Sequence, residues 1–339
     1  MHPRFLSFLC CPKNGCELHL SIEEYYDNGM VKTGTLNCVD EKRSYPIISG
    51  IPRFVKKELY SSSFGYEWKK WPRVQFEAEN IGKSMQGYTT KMFKKITHFK
   101  KDEIKGKKVL EYGCGSGRFL DVVRSWGGIA VGIDLSLAVE SARMNFQDDV
   151  NILIIQGDIL QPPFKKEFFD FGYSIGVLHH IPTPEEGFRN LCELIKEDGR
   201  IACSVYFKKG FYNFPSVLFY RKCINTIKKV LNDKTGNLLA LLYSYFSSYI
   251  LYHIFSRLKR FPIIGPPFIA ILEKYLFVNV NISDKQWRLL DIFDAITPYY
   301  ASTHTHDEVK MWFKNSNCID IKKSDWGPTS FNGRKMILH

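Results

Sequence analysis

Apolar and polar positions follow two rhythms along this chain, and the switches between them locate its elements. "KKVLEYG", "GIAVGID", "VNILIIQGD", "FFDFGYSIG" and "GRIACSVYF" are β-branched or aromatic runs bounded by Gly or Asp. Segments of helical period separate them, which predicts a parallel sheet covered on both faces. In the connector "TPEEGFRNLCELIKEDG", Thr183 is the expected N-cap, Pro184 the first helical residue and Glu186 the partner that closes a capping box. Phe188, Leu191, Leu194 and Ile195 form its apolar stripe, and Gly199 is the expected stop. A second box, Thr305 to Glu308, opens the helix "HDEVKMWF"; "NCIDIKKSD" and "RKMILH" then predict a closing hairpin.

Texture divides the chain into four regions. Residues 1–56 are rich in cysteine, glycine and turns; 57–105 are aromatic and lysine-rich, a helical linker or cap; 106–207 and 303–339 carry the strand–helix alternation; 208–302 form an apolar, Tyr-rich insert. No internal repeat is visible.

Composition adds little to this division. With 339 residues, 45% of them hydrophobic, the chain can bury a substantial core, and its formal charge of +12 tilts it towards an anionic partner. The start "MHPRFLSFLCCPK" has too short an apolar run for a secretory signal, and bulky Leu9 stands where a small residue precedes cleavage, so a cytoplasmic protein is expected. Nine scattered cysteines then read as reduced thiols plus a candidate metal site.

The chemistry centres on "KKVLEYGCGSGRFLDVV", a strand that runs into Gly113, Gly115 and Gly117. A Walker phosphate loop needs a Lys after its glycines at a spacing absent here. The dinucleotide fingerprint GxGxxG is weakened because Arg118 occupies the third glycine's place. Glu111, two residues before the first glycine, repels a pyrophosphate and attracts a cation, which favours S-adenosylmethionine (SAM), a cationic sulfonium with an amino acid end. Asp134 closes the second strand where a carboxylate accepts ribose hydroxyls, and Asp158 closes the third within reach of an adenine amino group.

"VLEYGCGSGRFL", "VGIDLS", "QGDIL", "FDFGYSIGVLHHIP" and "GRIACSVY" resemble, in order and spacing, the successive motifs of class I SAM-dependent methyltransferases. The resemblance implies a Rossmann-like seven-stranded sheet with helices on both faces and an antiparallel last strand. It also implies that Gly113, Gly115 and Gly117 contact the methionine part, Asp134 the ribose, and Asp158 with Ile159 the adenine. Glu111, Leu135 and Gly176 complete the expected cofactor set. For methyl transfer to a hydroxyl, a base is expected near the end of the fourth strand, where "GVLHHIP" places His179 and His180. One of the two is expected to face the cleft, and the resemblance favours His180. From "DAITPYYASTHTHDEV", Tyr300 and His304 are candidate acceptor contacts, whereas His306 suits a capping or surface role. Phe64, Tyr66 and Trp68 of "SSSFGYEWKKW" either cover the cofactor or pack; packing is the expectation.

"LCCPKNGCELHL" and "GTLNCVDEKRSYPIISGIPRF" resemble the halves of a small zinc-ribbon domain that precedes many bacterial methyltransferases. That family carries a Cys-x-x-Cys pair in each half. Here four residues lie between Cys11 and Cys16, and Glu41 stands in the place of the partner of Cys38. Cys11, Cys16 and Cys38 are therefore the candidate zinc ligands, with Cys10, His19 or Glu41 to complete them, and a metal-free ribbon is the expected state. In the insert, "TGNLLALLYSYFSSYILYHIFS" has no charged residue, yet a membrane crossing would separate the last strands from their sheet. The break at Pro266-Pro267 and the charges of Glu273 and Lys274 argue against a return helix. A lid whose Tyr and Ser residues line an acceptor pocket is expected, with peripheral membrane contact through its basic flanks as an alternative.

The reading is a SAM-dependent methyltransferase acting on a small-molecule, glycan or lipid-linked acceptor, with oxygen as the expected methylated atom. RNA methylation and a non-catalytic SAM-binding scaffold are the competing functions. "SIGVL" lacks the Asn-Pro-Pro-aromatic pattern of base amino-group methylation, which argues against RNA.

Overall fold

The computed structural model describes residues 1–40, 42–55, 60–263, 265–272 and 274–337. Its amino end is a four-stranded antiparallel sheet of β1 (Leu18–Tyr25), β2 (Val31–Cys38), β3 (Ser44–Ile48) and β4 (Ile51–Pro52). Helices α1 (Ser62–Lys70), α2 (Tyr88–Thr97) and α3 (Lys101–Ile104) follow. The alternating region then builds β5 (Lys108–Tyr112), α4 (Arg118–Ser125), β6 (Ile129–Asp134), α5 (Ala138–Asn145), β7 (Ile152–Gln156), β8 (Phe169–Ile175), α6 (Pro184–Leu194) and β9 (Ile195–Val205). The insert is helical: α7 (Pro215–Val230), α8 (Asp233–Phe246), α9 (Tyr252–Leu258), α10 (Gly265–Leu272) and α11 (Lys285–Ile296), with a π-helical turn joining α8 to α9. The chain closes with α12 (His306–Asn315), β10 (Cys318–Lys323) and β11 (Thr329–Lys335).

The seven-stranded sheet runs β10-β11-β9-β8-β5-β6-β7, parallel from β9 to β7, with β11 antiparallel to both its neighbours. Both faces of its central strands are buried, which explains why those strands read as continuous apolar runs. Leu110, Val131, Ile133, Leu153 and Ile155 share one apolar cluster with residues of α6, α12 and the amino-terminal module, while Val109, Ala130, Ile152 and Ile154 share a second with residues of α2, α4 and α5. Strand order reverses beside β5, so the carboxyl ends of β5, β6 and β8 open the crevice in which such sheets hold ligands.

Two helix-end expectations need correction. Thr305 and Glu308 form the reciprocal capping box. Thr183 is an N-cap with Pro184 behind it, but its exposed side chain makes no capping bond. That helix also stops at Leu194, not Gly199, because Ile195 leaves the stripe to pair with Phe169 as the first residue of β9. Tertiary pairing outweighs helical periodicity there.

The amino-terminal sheet is welded to the core. Phe5, Phe8, Leu9 and Leu36 share one apolar cluster with Leu110, Tyr112, Phe164 and Phe169. Arg53 bridges to Gln156 at the end of β7, and the Phe54 N–H donates to the Gln156 carbonyl at 2.8 Å.

Candidate functional site

A cavity of about 570 Å³ lies over the carboxyl ends of β5, β6 and β8 and is partly covered from above by α1 and the insert. All three glycines of the loop after β5 have a positive φ and no room for a Cβ. Gly113 has φ +72°, and a Cβ there would lie 2.4 Å from both γ-carbons of Val177; Gly115 has φ +53°, and a Cβ would lie 2.8 Å from the Trp68 indole nitrogen. Gly117 precedes α4 as its N-cap and does not line the cavity.

The carboxylates below the cavity are held firmly. Asp134 Oδ2 accepts from the Gly115 N–H at 2.9 Å, and Oδ1 accepts from the Ser136 N–H at 2.9 Å and hydroxyl at 2.7 Å. Burial raises its pKa despite these donors. Glu111 is 2% exposed; burial drives its pKa well up, opposed by the Tyr173 hydroxyl, which donates to Oε2 at 3.1 Å, and by Arg118. Asp158 accepts from the Leu160 N–H at 2.9 Å, and with Leu135, Ile159 and Gly176 it lines the same cavity. Apart from Gly117, the cofactor residues expected from the sequence thus meet in one place.

Both adjacent histidines reach the cavity wall, where only one was expected. They lie on a single 3-10 turn, Leu178–His180, with ring centroids 4.1 Å apart. His180 Nδ1 lies 2.8 Å from the Tyr300 carbonyl; a carbonyl only accepts, so Nδ1 carries the hydrogen and Nε2, buried without a partner, keeps its lone pair. Burial lowers the pKa of His180 to about 3 and that of His179 well below the usual range, so both rings are neutral at physiological pH. Tyr300 meets the site through its backbone carbonyl; it is not a lining residue, and its ring packs on that of Tyr60, which is. His304 also lies outside: its Nε2 pairs with the Ser302 hydroxyl at 2.8 Å and its N–H donates to the Tyr206 carbonyl, which fixes the returning chain beside β9. His306 stacks on Phe207.

Residues not singled out in the sequence supply the upper wall: Glu67 from α1, Tyr206 and Tyr212 after β9, and Asn279, Trp287, Asp291 and Asp294 from the insert. Phe64 and Trp68 line the cavity, whereas Tyr66 stacks on Phe293. The spacing Trp287, Asp291, Asp294 was the missed signal, because it puts two carboxylates on one face of a helix that is otherwise largely buried. The Tyr and Ser residues of α8 and α9 do not line the cavity. Ser247 and Tyr243 instead bond the Phe277 carbonyl.

The sulfur atoms of Cys11, Cys16 and Cys38 lie within 4.8 Å of one another, and Cys16 is joined to Cys38 as a disulfide, where reduced thiols were expected. Once reduced, the group offers three of the four donors of a tetrahedral structural zinc. No fourth ligand joins them among the described residues, and Glu41 lies outside those residues. Cys10 is buried, which pushes its thiol to about 11, and His19 is exposed on β1.

Residues 110–203 match the family model of the methyltransferase domain, and residues 2–50 match that of Trm112p-like protein. The ubiquinone biosynthesis O-methyltransferase of Coxiella burnetii is 30% identical over 118 residues, 34% of this chain and 49% of that protein. The tRNA (carboxymethyluridine(34)-5-O)-methyltransferase of Saccharomyces cerevisiae is 31% identical over 108 residues, 31% of this chain and 37% of that protein. The chain therefore spans about half the length, or less, of the curated relatives it matches. Among solved structures, the Haloferax volcanii complex of the Trm112 methyltransferase activator with a methyltransferase is similar at a TM-score of 0.44 and 12% identity, covering 81% of this chain and 98% of that one. The glycine loop and the carboxylates that follow it thus lie in a stretch, residues 110–203, that matches the methyltransferase domain, and a Trm112p-like domain precedes it at residues 2–50.

Proposed function

We propose that this protein methylates a small or lipid-linked acceptor, at oxygen, inside the cavity that the insert partly covers above the glycine loop. The observation that carries this reading is the partial cover: α1 and the insert lie over the expected cofactor residues and leave a cleft of about 570 Å³. SAM supplies the methyl group when bound. The chain's own part is to hold the acceptor in line and to orient its hydroxyl, whose O–H can donate to the lone pair of His180 Nε2.

The outer face of the insert supports a lipid-linked acceptor. Asp233–Leu258 is one apolar helix whose inner side packs on α7 and α11, while Leu238, Leu242, Phe246, Ile250 and Ile254 lie exposed on its outer side. Residues 215–275 hold nine Lys or Arg against two acidic residues, which suits an anionic bilayer surface. A crossing is disfavoured, because α7 and α11 pack on the same side and β10 and β11 rejoin the sheet.

The test is to incubate the protein with methyl-labelled SAM and fractionated cell extract. Label is expected in small molecules or in organic-extractable material of the membrane fraction. For a membrane-borne acceptor, L242D/F246D lowers labelling about tenfold without changing SAM affinity, through lost insertion of two apolar side chains. Label confined to RNA overturns the reading.

A further inference from the structure

The cavity is acidic in a basic protein. Among the described residues that line it are six carboxyl groups, Glu67, Glu111, Asp134, Asp158, Asp291 and Asp294, and a single guanidinium, Arg118; no lysine lines it. They fall on two walls. Glu111, Asp134 and Asp158 lie at the strand ends with the glycine loop, while Glu67 lies on α1 and Asp291 and Asp294 on α11, across the cleft. The lower set is absorbed by the cofactor reading and the upper set is not.

We infer that the upper wall is a recognition site for a protonated amine carried by the acceptor, seated among Glu67, Asp291 and Asp294. This inference rests on the methyl-transfer reading and adds the chemical class of the acceptor: an amino-bearing alcohol, such as an amino sugar. Three observations carry it. Glu67 is 1% exposed, and its Oε2 is buried on the cavity wall with no hydrogen-bond partner in the protein, which leaves it open to a donor that enters the cavity. Asp291 and Asp294 are aimed by a stacked tyrosine pair whose rings lie 3.8 Å apart at 7°: Tyr212 donates to Asp291 at 3.2 Å and Tyr206 to Asp294 at 3.3 Å. Asn279 donates to the second oxygen of Asp291 at 3.0 Å.

The third observation is the charge imbalance itself. Arg118, the only cation among the described residues of the wall, is shared between Glu111 below and Glu67 and Asp294 above, and Arg221 behind the site spends two N–H groups on the Ala295 carbonyl. Burial holds the three carboxyls above their ordinary range, neighbouring carboxylates push Glu67 and Asp294 further, and Arg118 opposes the rise at each without cancelling it. An ammonium supplies both the charge and the hydrogens. A phosphate or carboxylate in the same place faces three acidic groups and a single guanidinium, Arg118, and is disfavoured. The flat faces of Tyr206, Tyr212 and Trp287 on the same wall suit the apolar face of a sugar ring.

The test is calorimetric titration of the protein, preloaded with S-adenosylhomocysteine, with methyl glucosaminide and with methyl glucoside, which differ by an amine in place of a hydroxyl. The amine is expected to bind at least about tenfold more tightly, the effect of one charge-assisted hydrogen bond. Glu67→Gln and Asp294→Asn are each expected to bring that ratio towards one while S-adenosylhomocysteine affinity stays within about twofold of the parent, well below the loss of one such bond. Equal binding of the two probes, or no binding of either, overturns the inference. So do variants that weaken S-adenosylhomocysteine and leave the ratio intact, since the upper wall then serves the cofactor's own ammonium. Amine preference without methyl transfer counts against the methyl-transfer reading alone.

Discussion

Asp134→Ala is expected to abolish SAM binding, with an affinity loss of about 100-fold or more and no loss of the fold. Asp134 does two things at once. Its Oδ2 holds the Gly115 N–H at 2.9 Å and so fixes the loop, and the carboxylate is also the residue expected to accept the ribose hydroxyls. Two charge-assisted hydrogen bonds at about 1.5–3 kcal/mol each correspond to a loss between about 100-fold and 10,000-fold. Asp134 lies at the end of β6, beyond the apolar packing of that strand, so the thermal midpoint should change little. Calorimetry of the variant checks this. Parent-like affinity would remove Asp134 from the site and leave the loop as a plain tight turn.

Asp294→Asn is expected to stabilise the empty protein, and to do so more at pH 8 than at pH 5. Asp294 has a pKa raised to about 7 by burial and then by Asp291, against 3.8 for a solvated carboxyl. The folded state therefore holds its proton to higher pH than the unfolded chain does. Below pH 4 both states are protonated and the residue costs nothing. As pH rises through 7, the folded protein is left with a buried charge and the stability is lost. A shift of about three units corresponds to on the order of 4 kcal/mol at pH 8, less whatever the cavity's water recovers, and to less than half of that at pH 5. Asn removes the charge and can still accept from Tyr206. Urea unfolding of parent and variant at both pH values reads the gap; a gap that does not change with pH, or that grows in acid, contradicts the burial account. Such carboxyls weaken the empty protein, which is the expected cost of a wall shaped for a cationic ligand.

The core was legible because it repeats a local rule. Runs such as "VLEY" and "ILIIQ" are apolar without alternation, as strands covered on both faces must be, and the glycine loop follows the first of them. Glu111, Asp134 and Asp158 were legible for the same reason, since each lies at or beside a strand end. The upper wall was not. Glu67 lies in a helix whose Phe64, Tyr66 and Trp68 read as packing, and its burial depends on α11, which arrives more than two hundred residues later. The long apolar helix misled in the opposite direction: its Tyr and Ser residues suggested a pocket, but they bond within the insert and its apolar stripe faces outward. Ile195 could not be placed as a strand residue from sequence, because the competing pull comes from Phe169 on a different element.

The amino-terminal sheet carries a similar lesson. Its two halves read as a separate ribbon, yet Phe5 and Phe8 are buried in the same cluster as Tyr112 and Phe169. The cavity thus sits on a sheet whose edge at β7 is extended by the amino-terminal module through the contacts of Arg53 and Phe54 with Gln156. Nothing in the local pattern of residues 1–56 points to that docking, since it depends on shape at a distance.

The most direct test of the central claim is equilibrium binding of S-adenosylhomocysteine to the purified full chain. One site per chain is expected, with micromolar or tighter affinity and no comparable binding of NAD. Absence of measurable S-adenosylhomocysteine binding, or preference for the dinucleotide, would contradict the account.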